Sequence, residues 1–217
     1  MSFSDNEIKE RAFEIFRILK DVYPDAKPLL NYCNAFELLV GTVLAAQCTD
    51  ARVNQVTPRL FERCPTPAEM LCLPQQELEA IIRPTGFFRN KAKNLKKLCF
   101  ALSEKYDGNI PGTIEELVKL PGIGRKTANV IAGRCFGVPA IVVDTHFIRL
   151  SGRLGFTQES KPEKIEQALR AMIPEKIQTQ FSTVINWHGR FRCKARKPDC
   201  PACEIAHLCP FPDKPKV

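Results

Sequence analysis

No stretch of this sequence runs for the 18 or so apolar residues that a membrane-crossing helix needs. The N-terminus, MSFSDNEIKERAFEIFRILK, has no apolar core of signal-peptide length. Acidic residues begin at Asp5, which argues against a transit peptide. A cytoplasmic chain with no membrane partner is expected. Internal repeats and low-complexity tracts are absent, which argues against a repeat array. Alternating polar and apolar residues are scarce as well. VPAIVV (138–143) is the one strand-like stretch, and one short run does not make a sheet. The expected fold class is therefore all-α.

What is present points elsewhere. With 217 residues the chain has room for one large domain or two modest ones. A chain of this size buries roughly 70% of its unfolded surface, so it needs no disulfide framework. Its ten cysteines are then expected to be buried thiols or metal ligands. Lys and Arg number 32 against 24 Asp and Glu, a net charge of +8. That balance favours an anionic partner, nucleic acid first. Apolar residues recur at spacings of three and four through most of the chain, beginning with Ile8, Ala12 or Phe13, Ile15, Phe16 and Leu19, with Ser4 or Asp5 as the cap. FELLVGTVLAAQ (36–47) is apolar nearly all round and predicts a buried central helix. Further helices are expected near 51–62, 67–72, 75–82, 90–105, 114–119, 125–136, 145–154, 162–172 and 177–189, punctuated by proline and glycine.

After Arg190 the composition shifts to Cys, Pro, Lys and Arg. Cys193, Cys200, Cys203 and Cys209 fall at C-x6-C-x2-C-x5-C. Four thiolates can close a tetrahedral zinc site or cage an iron–sulfur cluster. Structural zinc sites usually use two C-x2-C knuckles, and this loop has one, so a cluster suits it better. The remaining six, Cys33, Cys48, Cys64, Cys72, Cys99 and Cys135, read as small buried apolar residues. Arg190, Arg192, Lys194, Arg196 and Lys197 lead into the loop. Such a run is ordinarily a solvated face, but a metal anchor would hold it as a fixed array facing phosphates.

TIEELVKL-PGIG-RKTANVIAGRC (113–135) reads as helix, hairpin, helix. Gly122 and Gly124 leave the hairpin backbone uncovered, and the second helix begins near Arg125. Exposed N–H groups at a helix N-terminus suit phosphate, which makes Gly122, Ile123, Gly124 and Arg125 candidates for sequence-independent DNA contact. A plain interhelical turn would look the same at this level. Lys126 opens the second helix. Most lysines there are merely solvated, but a neutral amine in that position would be a nucleophile, and the positive end of the helix favours the neutral form. Asp144, in VVDTH, precedes a helix, where it could serve as an N-cap, a catalytic carboxylate, or both. His146 reads as structural.

Taken together, LPGIGRKTANV, VDTH and the cysteine tail, with FELLVGTVLAAQCTD and TGFFRNKA, resemble the endonuclease III family of DNA base-excision glycosylases, over about residues 8 to 212. The resemblance implies two helical lobes. A six-helix barrel at 28–138 would carry the hairpin, and residues 1–27 with 139–217 would form the cluster lobe, with DNA across the cleft. It matches Lys126 to the family nucleophile, Asp144 to the catalytic aspartate and the four tail cysteines to the ligands of a 4Fe–4S cluster. Gln47 matches the residue that fills the space left by a flipped nucleotide, and Phe87 the apolar wedge, commonly leucine. It implies a monomer acting on double-stranded DNA with a damaged base, an oxidised pyrimidine, or an abasic site. The related adenine glycosylase family shares the fold and loop but typically lacks a lysine at position 126 and carries a further C-terminal domain. A non-catalytic, metal-ordered DNA-binding module would also carry a basic hairpin and a cysteine loop, and so would a zinc protein with the same tail.

Overall fold

The computed structural model describes residues 4–212. The chain divides into two compact units, Met1–Lys27 with Pro139–Val217, and Pro28–Val138. Residues 1–3 and 213–217 of the expected cluster lobe lie outside the described part. Among the described residues there are helices and loops and no strand.

Helix α1 (Asp5–Val22) starts at Ser4, which forms a reciprocal capping box with Glu7. It buries Ala12, Ile15, Phe16 and Leu19, so Ala12 rather than Phe13 completes the stripe. In the other unit, α2 (Ala35–Leu44) is followed by α3 (Asp50–Arg63), α4 (Pro67–Cys72) and α5 (Gln75–Ile82). A 3₁₀ turn at Arg83–Thr85 leads into the long α6 (Phe88–Tyr106). The short α7 (Ile114–Leu117) and α8 (Arg125–Cys135) flank the hairpin. Helix α2 buries Phe36, Leu38, Leu39, Val40, Gly41 and Leu44, and it packs against α3, α6 and α8. A segment this apolar has no solvent face, so it takes the middle of its unit.

The first unit is completed by α9 (Thr145–Arg153), α10 (Pro162–Met172) and α11 (Glu175–Phe191). Phe181 of α11 is fully buried, with the rings of Phe16, Phe147 and Phe156 at centroid distances of 6.0, 6.3 and 5.7 Å. These tilted and edge-on pairs add a modest directional term to the burial of area. From α11 to residue 212 the chain is loop apart from a 3₁₀ turn at Ala206–Leu208.

Three expectations need correction. The helix expected over 36–47 stops at Leu44, because the chain leaves helical backbone and Gln47 takes a left-handed φ of 53°. The helix expected over 114–119 ends at Leu117, and Val118 just beyond it is exposed. The VPAIVV stretch forms no strand, in line with the all-α expectation, since it has no partner strand to pair with. Of the six non-tail cysteines only Cys64 and Cys99 are buried; Cys33 and Cys72 are exposed. Burial pushes the Cys99 thiol up to about 12, so it is inert at neutral pH.

Phe181→Ala should lower the unfolding free energy by about 3–5 kcal/mol, the usual cost of emptying a packed aromatic site. Urea denaturation followed by circular dichroism measures this, and a loss below about 1 kcal/mol would show that the four rings do not hold the unit together.

Candidate active site

The hairpin is built from both sides. Leu117 and Leu120 are buried before it, and Ala128, Ile131 and Ala132 of α8 are buried after it. Within the turn the Leu120 amide donates to the Leu117 carbonyl and the Ile123 amide to the Leu120 carbonyl, each at 3.1 Å. Ile123, expected as a DNA contact, is buried, and its amide is used inside the turn. It anchors the hairpin in the core and leaves Gly122 and Gly124 exposed on either side. Gly122 has φ of +79°, a conformation that L side chains rarely adopt. Gly124 is the N-cap of α8 and offers no capping side chain. The first N–H groups of that helix therefore keep their positive end available to an anion. Arg125 and Lys126 are both exposed on the first turn, and among the described residues the Lys126 side chain makes no hydrogen bond or ion pair.

Gln47 and Phe87 share an unusual property: both are exposed and both have positive φ, 53° and 48°. Left-handed backbone costs a non-glycine residue about 1–2 kcal/mol. Phe87 is 64% exposed, so apolar burial does not offset that cost. Strain of this kind concentrates at functional positions. Nothing in the local sequence announced it at Gln47, which stands in an apparently continuous helical pattern.

In the other unit, Asp144 is the N-cap of α9, where its Oδ1 accepts a hydrogen bond from the Phe147 amide at 2.9 Å. The residue is only 9% exposed. The cap uses Oδ1, which leaves Oδ2 for a second role. His146 is partly buried, and burial lowers its pKa.

The tail loop is held by side chains that the sequence had not marked. Arg153 of α9 donates from Nη1 to the Lys194 carbonyl at 2.9 Å and from Nη2 to the Ala195 carbonyl at 3.0 Å. Arg149 donates from Nη2 to the Gly189 and Cys193 carbonyls at 2.7 and 3.0 Å. Their spacing of four on one helix was the available signal. Arg192, expected to meet phosphate, instead pairs with Asp199 at 2.6 Å and Glu204 at 2.8 Å. Two carboxylates take both of its terminal nitrogens, so it fastens the loop. Lys194, Arg196 and Lys197 are exposed, and Arg190 is partly exposed.

Cys193, Cys200, Cys203 and Cys209 line one cavity of about 20 Å³, walled also by Leu150 and Ile205. None of the four is in a disulfide. Among the described residues no three His, Cys, Asp or Glu side chains converge on a single metal ion. The four cysteines share the lining of that one space, and side-chain nitrogens lie beside two of the sulfurs. Arg153 Nη1 lies 3.3 Å from Cys193 Sγ, and His188 Nε2 lies 3.5 Å from Cys203 Sγ. Burial pushes the His188 imidazole down to about 4 and the Tyr23 phenol up to about 12, so both are neutral at pH 7. The Tyr23 hydroxyl lies 3.3 Å from His188 Nδ1, and in the tautomer in which that hydroxyl donates, the Nε2 hydrogen faces Cys203. An all-sulfur donor set with N–H donors around it fits a group that spreads negative charge over several sulfurs, as an iron–sulfur cluster does.

Residues 40–175 match the HhH-GPD superfamily base excision DNA repair protein family. The chain is 50% identical over 203 residues to endonuclease III of Synechocystis sp., covering 93% of each. It belongs to the endonuclease III family. Two solved structures of the family share its fold. A non-covalent endonuclease III–DNA complex superposes with a TM-score of 0.88 at 46% identity, covering 94% of this chain and 95% of that one. A trapped endonuclease III–DNA covalent intermediate, an estranged-adenine complex, gives 0.88 at 44% identity, covering 97% of each. The family carries an iron–sulfur cluster, in keeping with the donor set of the tail.

Gly122→Ala should isolate the value of the hairpin backbone. An added Cβ meets nothing within 4 Å, so the penalty is conformational alone, about 1–2 kcal/mol. The expected result is a fall of a few degrees in Tm with weakened binding to undamaged duplex at low salt; unchanged binding would remove the hairpin from the DNA interface.

Proposed function

We propose that this chain removes a damaged pyrimidine from duplex DNA and then breaks the strand at the abasic site, with Lys126 as the nucleophile. The observation that carries this assignment is the position of Lys126: exposed and unpaired on the first turn of α8, directly after a glycine hairpin with uncapped N–H groups. Phosphate bound at the helix end would bring a sugar to the amine without reading base sequence. The two units correspond to the barrel and cluster lobes of the family.

A damaged pyrimidine stacks and pairs poorly, so extruding it is easier than extruding an intact base. Gln47 and Phe87 fill the vacated space, Phe87 by stacking. The Lys126 amine attacks C1′, and the glycosidic electron pair leaves with the base. Opening of the sugar ring then gives a Schiff base between Nζ and C1′. Loss of a proton from C2′ expels the 3′ phosphate and nicks the strand. Asp144 stabilises the cationic sugar and assists the proton transfers through the oxygen not used in capping. Cys193, Cys200, Cys203 and Cys209 would hold a 4Fe–4S cluster. Held there, it would order the loop that carries Lys194 and Arg196 towards DNA phosphates, and bond cleavage would fall to the protein's own side chains.

Borohydride trapping on a duplex with one abasic site tests the nucleophile. Wild type should yield a covalent protein–DNA adduct and Lys126→Ala none, while duplex affinity stays within a few fold; an adduct in both would move the amine elsewhere. Asp144→Asn separates catalysis from capping, because Asn caps a helix as well as Asp does. Turnover should fall by two or more orders of magnitude with Tm nearly unchanged. Normal turnover would leave Asp144 as a cap alone. Cys203→Ser should lose most of the bound iron and the brown colour, and full iron content would remove Cys203 from the ligand set.

A further inference from the structure

Lys91 is the one lysine or arginine that is buried among the described residues, at 5% exposure. Among those residues no carboxylate pairs with it. Its Nζ donates instead to two backbone carbonyls, Leu44 at 2.9 Å and Thr85 at 2.7 Å. Burial pulls its pKa below the ordinary lysine value. A lone buried ammonium is expensive, and for stability alone an apolar side chain on the same stem would serve. The two carbonyls indicate what the charge is for.

Leu44 is the last residue of α2, three residues before Gln47. Thr85 ends the 3₁₀ turn, two residues before Phe87. Thr85 is itself buried, and its Oγ1 donates to the Ile82 carbonyl at 2.8 Å. The Lys91 amide donates to the Phe87 carbonyl at 3.0 Å. One residue thus touches the stem of the Gln47 loop, the stem of the Phe87 loop and Phe87 itself. Both loops end in strained, left-handed, exposed residues that would relax if their stems could move. An ammonium has three donors and can hold separate acceptors at once.

We infer that Lys91 is a positioning residue for base extrusion, locking together the two loops that present Gln47 and Phe87 so that the pair enters DNA as one rigid element. This rests on the function proposed above. It predicts that Lys91 matters where a stacked base must be displaced and not where the base is already gone.

The test compares wild type with Lys91→Met, which keeps the stem and removes both hydrogen bonds. One duplex carries a paired 5-hydroxycytosine and the other a preformed abasic site. Excision from the first should fall about 10–100-fold, the scale expected when positioning is loosened by an ångström or so. Borohydride trapping on the second should be unchanged. In a Gln47→Ala/Phe87→Ala background, adding Lys91→Met should lower excision no further, because the clamp would have nothing left to position. Equal losses on both duplexes, no loss on either, or a full additional loss in that background would each overturn the inference. If Lys91→Met does not fold, Lys91→Gln, which retains a neutral donor, takes its place under the same criteria; failure of both to fold would make Lys91 a folding residue and overturn the inference. Wild type that gives no adduct would count against the proposed function before any Lys91 comparison is made.

Discussion

Helix α2 is apolar on nearly every face, so it can be accommodated only in the middle of its unit, with α3, α6 and α8 around it. Much of the site follows from that placement. Because α8 rests on α2, its N-terminus and the hairpin before it are held from below by Ala128, Ile131, Ala132 and Ile123. Because α2 ends at Leu44, a carbonyl is left that the helix cannot satisfy, and Lys91 of α6 supplies the donor. The chain then turns out through Gln47. The exposed groups of this unit are thus the ends of elements whose other faces are buried.

The other unit solves a different problem. Its described tail, residues 192–212, has almost no regular structure, so little of its backbone is held by helix hydrogen bonds. Arg149 and Arg153 reach from α9 to the carbonyls at the start of the loop, and Arg192 gathers Asp199 and Glu204 from inside it. Three of the cations in this basic region are therefore occupied by the protein. The net charge of +8 overstates what a phosphate would meet here. Lys194 and Arg196 remain exposed, and ordering of the loop decides where they point.

Asp144 shows how the demands of helix capping and of the proposed chemistry can be met by one residue. Capping needs a single oxygen and an extended backbone, and both are met at the start of α9. Near-complete burial keeps the carboxylate in place, which a catalytic group also requires.

Helices, caps and the cysteine loop were legible in the linear order of residues because their causes are local. Apolar spacing, proline, glycine and capping side chains act over a few positions, and the elements fall close to where those signals put them. The tail cysteines, Lys126 and Asp144 stood out for the same reason: each sits in a short motif. The left-handed backbone at Gln47 and Phe87 was not legible, because it answers to neighbours far along the chain. Nor was the internal use of Arg192 and Ile123, nor the burial of Lys91, which joins Leu44 to Thr85 across 41 positions of sequence. Whether a cation is available to a phosphate or consumed by a carbonyl depends on what packs beside it. That is decided only when distant segments come together and water is excluded from between them.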